Sequence, residues 1–359
     1  MTDRPIPVSE DNEEPTWFES LPGQEQWAME TANRTAGLPS MVLALYARWW
    51  QLETWLRELA YVELRARDGI DWLGTLDQRV VNRQSRDKTR LYMTSPDWED
   101  PMAYMDVGIL FDLVEKEWDI IGPSLIDKDA WVGRRAELLA IRHRIGHLRR
   151  PHTDDLNRLE QTLRDLENGA KEALRSYNRR RTPPPGTDDG VAQAWVDRHH
   201  SEAHLISHAE LQYGTQFYVQ HSRRPWAEGG VLKPSGQPGY FWHAFFYTSR
   251  WIDLSKFWRS GYLDNGARKL AVHTLSDNLH ELTVTFAAVD DPNQIADAIG
   301  GVFHAFLGAA STMPPPGYDP MSFLPTKGRR PPTDPRVLVD TAWNIVDDDT
   351  EPITIFAAH

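Results

Sequence analysis

The stretch AELLAIRHRIGHLRR, residues 136–150, decides the fold that we predict for the N-terminal half of this chain. Apolar residues recur in it at three- and four-residue spacing, which predicts an amphipathic helix with a buried stripe of Leu138, Ile141, Ile145 and Leu148. At about 100° per residue, Arg142 lies at the border of that stripe and His147 faces outward. We expect the two to converge only if Gly146 loosens the last turn, or if a second copy of the helix packs across a two-fold axis.

The sequence on both sides of this stretch has the same helical periodicity, which predicts a helical bundle. A long helix from Pro39 to about Asp68 carries the apolar stripe Leu45, Trp49, Leu52, Leu56 and Leu59. Further helices are predicted over residues 105–121 and from residue 153 onward. Glu53 and Arg57 form an i,i+4 pair beside the first stripe. We interpret them either as a helix-surface ion pair or as substrate-binding residues, and Glu53 is also an alternative partner for Arg142.

Composition and charge limit the classes of protein to which this chain can belong. It has 359 residues, enough for two domains, and it contains no cysteine, which excludes disulfides, zinc-thiolate sites and thiol catalysis. No signal-peptide pattern or run of about 20 apolar residues is found, so we expect a soluble cytoplasmic protein with no membrane contact. The net charge of −13 argues against a protein that coats nucleic acid, but Arg and Lys outnumber acids locally between residues 134 and 181. That excess predicts either a basic face or an ordinary solvated helix surface.

Pattern and composition divide the chain into five segments. We predict a flexible acidic lead-in over residues 1–36, a helical bundle over 37–181, a Pro/Gly linker over 182–190, an α+β domain over 191–312 and a Pro/Asp-rich tail over 313–359. The fold class is therefore an all-α bundle followed by an α+β domain with an antiparallel sheet.

The second half of the chain alternates in the manner of β-strands. Strands are predicted within residues 211–219, 240–247, 269–274 and 281–289, followed by an amphipathic helix that begins at Pro292. Aromatic residues are dense from 217 to 262, and they form either ordinary core or an exposed recognition patch.

Histidines are concentrated between His199 and His208 at the start of this half. If the segment is helical, His200, His204 and His208 share one face and could bind a metal ion; if it passes into a strand, they do not. Because the zincin pattern His-Glu-x-x-His is absent, we predict no metal site here.

Three motifs of the helical half occur together, and they carry a resemblance to a known family. They are R-H-x-x-x-H from Arg142 to His147, L-E-x-x-L-R-x-L from Leu52 to Leu59, and G-x-L-F-x-L-V followed by a tryptophan, from Gly108 to Trp118. In this pattern the block from Leu45 to Leu166 resembles a HEPN domain of the branch found in RNA-cleaving toxins, phage-defence proteins and RNA-surveillance endonucleases.

The resemblance implies a metal-independent endoribonuclease that needs no cofactor and acts as a homodimer, with the motif helices facing each other. Residue chemistry agrees, since His147 can exchange a proton near neutral pH and Arg142 can stabilise charge on the phosphorane. His143 would orient the phosphate or share the proton transfer, and Arg144 and Arg149 would hold flanking phosphates. We expect 2′-hydroxyl attack on single-stranded or looped RNA, with transfer RNA among the candidates.

Two other functional classes stay open. The first is a catalytically silent HEPN scaffold or antitoxin-like binding protein. The second is a small-ligand enzyme in the C-terminal half that uses the histidine cluster. For the ribonuclease, the C-terminal half is expected to sense or regulate, with a protein regulator or a phage-derived trigger as its candidate partner.

Overall fold

The computed structural model describes residues 23–37, 39–90, 100–264, 266–276 and 279–314. The predicted lead-in before Gly23 and nearly all of the predicted tail lie outside the described residues. The helices are α1 Gly23–Ala36, α2 Ser40–Asp68, α3 Gln78–Lys88, α4 Val107–Lys116, α5 Trp118–Ile121, α6 Lys128–Gly146, α7 Asp155–Asn178, α8 Gly190–Trp195, α9 His204–Tyr213, α10 Leu254–Trp258, α11 Ala267–Leu270 and α12 Pro292–Ala309. The strands are β1 Thr215–Arg223, β2 Tyr240–Thr248, β3 Trp251–Ile252, β4 Ala271–Leu275, β5 Glu281–Ala287 and β6 Ala310–Ser311. No helix within these ranges is long and apolar enough to cross a bilayer.

Helix α2 is the central element of the helical part, and its predicted apolar stripe is buried. All five stripe residues from Leu45 to Leu59 are buried, and they pack against α4, α6 and α7 in one core. The helix ends at Gly69, whose φ of +58° suits a residue without a side chain. A Cβ on Gly69 would lie 2.0 Å from Oδ1 of Asp290, so the close approach of the two chain segments also requires glycine there.

The C-terminal part contains a four-stranded antiparallel sheet in the order β1-β2-β5-β4, which confirms the predicted sheet. The first predicted strand is wrong in position, because residues 204–213 are helical and β1 begins only at Thr215. Gly214, with φ of +59°, ends that helix, and Leu211 is 80% exposed on it instead of facing a sheet core. The predicted helix from Pro292 is confirmed as α12.

The sheet lies between two helical layers. One face packs against α12 and the helices around it, while the other contributes Phe241, Val272, Leu275 and Ala287 to the core of the helical part. The helical part and the sheet are therefore joined by shared apolar burial. Residues 182–189 of the predicted linker lie in the connection between α7 and α8, and Gly190 is the first residue of α8.

A buried ion pair also joins the helical part to the sheet. Glu63 of α2 and Arg224, directly after β1, are 0% and 2% exposed, and Arg224 Nε donates to Oε1 and Oε2 of Glu63 at 3.1 and 3.0 Å. Trp226 Nε1 donates to the same carboxylate at 2.7 Å, and Arg224 Nη1 donates to the Ala173 carbonyl of α7 at 3.1 Å. These hydrogen bonds connect the segment after β1 with α2 and with α7, which fixes the sheet against both helices.

Candidate active site

Helix α6 brings the predicted catalytic residues to its C-terminal end. Its start is fixed by Asp127, whose carboxylate accepts from the Asp129 amide at 2.9 Å, and its buried side is formed by Trp131, Leu138, Ile141 and Ile145. The predicted extension to about Arg150 is wrong, because the helix ends at Gly146.

The end of α6 exposes Leu148, which the periodicity had placed on the buried stripe. Leu148 has φ of +53° and is 91% exposed, while the Arg149 amide donates to the Arg144 carbonyl at 2.9 Å to close the helix end. Leucine in this left-handed conformation is unfavourable by about 1 kcal/mol. Because the helix ends before Leu148, this large apolar side chain does not reach the core and is exposed to solvent beside the site.

The side chain of Arg142 packs on Gly146. A Cβ on Gly146 would lie 1.8 Å from Arg142 Nη1, so the guanidinium packs across the bare α-carbon one turn further along the helix. Gly146 itself stays within α6. Its observed effect is therefore to admit the Arg142 side chain, and the structure shows no loosened turn at this position.

Arg142 lines a groove of about 620 Å³ between α2 and α6. Tyr46 and Trp50, each 55% exposed, form part of its wall with their rings 6.4 Å apart, and Leu148 also lines it. Sequence reasoning missed these two aromatic residues because it followed only the buried stripe of α2. Their i,i+4 spacing, which places both aromatic side chains on one side of the helix outside that stripe, is the signal that could have identified them.

His143 and His147 lie together on the exposed side of the helix end. Their ring centroids are 4.4 Å apart in an edge-to-face arrangement, and both side chains are exposed. Desolvation, followed by the positive charges of His147, Arg149 and Arg142, lowers the pKa of His143 below its ordinary value. At pH 7 His143 is therefore mostly neutral and able to accept a proton.

Arg144, predicted to hold a phosphate, is engaged within the fold. Its Nε donates to Oδ2 of Asp155 at 2.8 Å, and Asp155 is 1% exposed at the first turn of α7. The same carboxylate oxygen accepts from the His152 amide at 2.9 Å. The pair ties the end of α6 to the start of α7, whereas Arg149 is exposed beside the histidines.

Glu53 and Arg57 form the ion pair that the sequence predicted, and they also line the groove. Arg57 Nη2 donates to Glu53 and, at 2.8 Å, to the Met105 carbonyl, while Trp49 Nε1 donates to Glu53 Oε2 at 2.7 Å. Glu53 is thus paired with Arg57, and the alternative pairing of Glu53 with Arg142 does not occur. The pair holds the floor of the groove beside Arg142.

The histidine cluster of the C-terminal half does not converge. His200 precedes α9 and its Nε2 lies 3.1 Å from Asp297 Oδ1, whereas His204 Nδ1 lies 3.0 Å from the Ser201 carbonyl and His208 packs on Tyr213. Within the described ranges, no group of three His, Asp or Glu side chains is placed to hold a metal ion.

Comparison with known proteins gives this chain no relative. No family model, curated protein or solved structure matches it. The resemblance to HEPN domains therefore rests on the quoted motifs, and function has to be argued from the site.

Proposed function

We propose that this protein is a metal-independent endoribonuclease, a toxin or phage-defence effector that acts in the cytoplasm. The observation that carries the proposal is that His143 and His147 are in ring contact at the exposed end of α6, while Arg142 of the same helix lines the neighbouring aromatic groove. Imidazole and guanidinium groups are the side chains that RNA cleavage without a metal requires.

The chemistry assigns a role to each of the three side chains. One histidine takes the proton of a ribose 2′-hydroxyl, and the resulting oxygen attacks the adjacent phosphorus. The bond from phosphorus to the 5′-oxygen breaks, and that oxygen leaves with a proton from a protonated histidine, giving a 2′,3′-cyclic phosphate and a 5′-hydroxyl. His143 suits the base, because its lowered pKa keeps it neutral, His147 suits the acid, and Arg142 stabilises the phosphorane.

The groove supports RNA with unpaired bases as the substrate. Tyr46 and Trp50 present large exposed ring surfaces within the same groove as Arg142, and stacking on aromatic rings is how proteins bind bases that have left a helix. Arg149 is placed to contact a flanking phosphate, whereas Arg144 positions the helix end through Asp155.

We further propose that two copies assemble through this end of α6. The exposed Leu148 beside Tyr46 and Trp50 supplies apolar surface for such a contact, and a two-fold axis would place two Arg142–His147 sets opposite each other. The C-terminal half would then sense or regulate, through a protein regulator or a phage-derived trigger.

The test is cleavage of total RNA and of a labelled loop oligonucleotide in excess EDTA, by wild type and by the variants Arg142→Ala, His143→Ala and His147→Ala. Arg164→Ala is the matched control, since Arg164 is an exposed arginine on α7. We expect cleavage to fall at least a hundredfold in all three site variants and to persist in the control, with cyclic-phosphate product ends. Equal cleavage by the site variants and wild type would reject the proposal.

One observation favours a second candidate, the silent HEPN scaffold. Arg57 and Arg144, two of the cations predicted to hold RNA, are engaged by Glu53 and Asp155. A scaffold would dimerise, bind its partner and leave RNA intact under all conditions. Sedimentation of the purified protein, combined with the cleavage assay, separates the candidates, because only the ribonuclease shows both dimerisation and site-dependent cleavage.

A further inference from the structure

A second cavity, of about 560 Å³, opens where the end of α7 meets the end of β1. Its walls also include residues 229–232 of the loop that leads to β2. None of its lining residues belongs to the proposed ribonuclease site.

The charge of this cavity is positive although the chain as a whole is acidic, with a net charge of −13. Arg179, Arg181 and Arg223 line it together with a single acid, Glu172, which leaves an excess of two positive charges. A fourth arginine in the wall, Arg224, is already neutralised by its buried pair with Glu63, described above. The excess is therefore carried by exposed guanidinium groups that are available to a ligand.

The guanidinium of Arg223 and the backbone of Arg181 are held in place before any ligand arrives. Arg223 Nη1 donates to the Ala227 carbonyl at 3.2 Å, and a Cβ on Gly229 would lie 2.5 Å from the same nitrogen, so the guanidinium rests against bare backbone. The backbone of Arg181 is bridged to His221 of β1 by two hydrogen bonds of 2.8 Å. Such preorganisation reduces the entropy lost when a ligand binds.

The rest of the lining combines aromatic and apolar residues with Ser176 and Ser222. The His221 ring lies 5.7 Å from Trp242 and 6.4 Å from Tyr240, and Leu232 is 83% exposed at the mouth. Burial, followed by the charge of Arg181, lowers the pKa of His221, so its imidazole is neutral at pH 7 and offers one donor and one acceptor.

We infer that this cavity binds a nucleotide, with its phosphates on Arg181 and Arg223 and its base against the wall formed by His221, Tyr240 and Leu232. The volume is in the range of about 300–1,000 Å³ that small-molecule sites occupy, and arginine is the side chain best suited to bind phosphate. The inference goes beyond the proposed ribonuclease and does not depend on it.

The test is calorimetric titration of the full chain, in EDTA, with ATP, AMP, adenosine and inorganic phosphate. Arg181→Gln and Arg223→Gln are the site variants, and Arg164→Gln, on the exposed side of α7, is the matched control. We expect ATP to bind more tightly than AMP and AMP more tightly than adenosine, with each site variant weakening ATP about tenfold or more and the control having no effect. Because both arginines are exposed, unchanged melting temperatures should show that the variants are folded.

Three results would overturn the inference. The first is an absence of nucleotide binding by wild type at millimolar concentration. The second is equal affinity for AMP and inorganic phosphate, or for AMP and adenosine, since then either the base or the phosphate would contribute nothing. The third is tighter binding of a single-stranded oligoribonucleotide than of ATP at the same arginines, which would indicate a path for an RNA backbone in place of a nucleotide pocket.

Discussion

Glu63→Gln is the most informative perturbation of this fold, because it removes one charge from the buried pair that joins α2 to the sheet. The substitution keeps the size and shape of the side chain, and a glutamine oxygen can still accept the Trp226 N–H. Arg224, which is 2% exposed, loses its counter-charge without gaining access to water. The experiment therefore isolates the electrostatic part of the contact.

The expected loss is about 3–5 kcal/mol of the free energy of unfolding, the usual cost when one partner of a buried ion pair is removed. The matched control is Glu160→Gln, since Glu160 pairs with Arg48 at 2.6 Å while the two side chains are 30% and 27% exposed. Solvent screens that pair, so its loss should cost about 1 kcal/mol or less. The double variant Glu63→Leu/Arg224→Met should recover most of the loss, because no unpaired charge remains buried.

Urea unfolding followed by tryptophan fluorescence and by far-ultraviolet circular dichroism measures these differences. We expect the two probes to give one coincident transition, because the helical part and the sheet share a core, and Glu63→Gln should lower its midpoint without changing its slope. If Glu63→Gln lowers the free energy of unfolding by no more than Glu160→Gln does, the pair of Glu63 with Arg224 is not what holds the sheet against the helical part. Separate transitions for the two probes would refute the shared core.

Three further predictions concern the site. Gly146→Ala places a methyl group where Arg142 Nη1 now lies, so RNA cleavage should fall at least tenfold. The free energy of unfolding should stay the same or rise by up to about 1 kcal/mol, because alanine is the better helix former. Undiminished cleavage would show that the packing of Arg142 on Gly146 is unimportant. Desolvation acts to raise the pKa of Asp155, but hydrogen bonds from Arg144 and from a backbone amide keep this pKa below its usual value. The ionised carboxylate therefore stabilises the fold fully above about pH 4, and this stabilisation is lost as the pH falls through the lower pKa of the folded state. Asp155→Asn should accordingly destabilise by about 1–3 kcal/mol at pH 7 and by much less near pH 2, and a loss that is the same at both values in denaturant titrations would contradict this account. Trp50→Ala should weaken binding of a cleavage-resistant 2′-O-methyl oligonucleotide by about 1–3 kcal/mol, seen as fluorescence anisotropy, and leave the melting temperature unchanged; unaltered affinity would remove the groove from the RNA path.

Helical periodicity predicted much of the fold, because an amphipathic stripe reports directly which side of a helix is buried. The stripe of α2 and the start of α12 at Pro292 were confirmed in this way. Periodicity failed at the C-terminal ends of two helices, α6 and α9. It placed Leu148 on a buried stripe and a strand at Leu211, because it cannot show where the chain leaves a helix.

The candidate site was predictable only in part. The motif located Arg142 and His143 on α6 and His147 directly after its last residue, and the pair of Glu53 with Arg57 followed from their spacing. The packing of Arg142 on Gly146 and the ion pair of Arg144 with Asp155 depend on tertiary packing and on side-chain direction, neither of which one sequence encodes locally. The arginine cavity was missed for a related reason, since Arg181 and Arg223 are far apart in the chain and meet only through β1.

The distance along the chain between the partners of the buried pair sets a condition on how the protein is made. Glu63 and Arg224 are separated by 161 residues, and the sheet surface that covers α2 is complete only when β5, ending at Ala287, has been synthesised. At about 5–20 residues per second, synthesis of the rest of the sheet takes roughly 10–45 seconds after Glu63, and Glu63 is without Arg224 for roughly 8–32 seconds. The helical part should therefore depend on chaperones during translation, and a chain truncated before β5 should be degraded or aggregate. A ribonuclease built on this fold would become active only after nearly all of its described sequence had been translated.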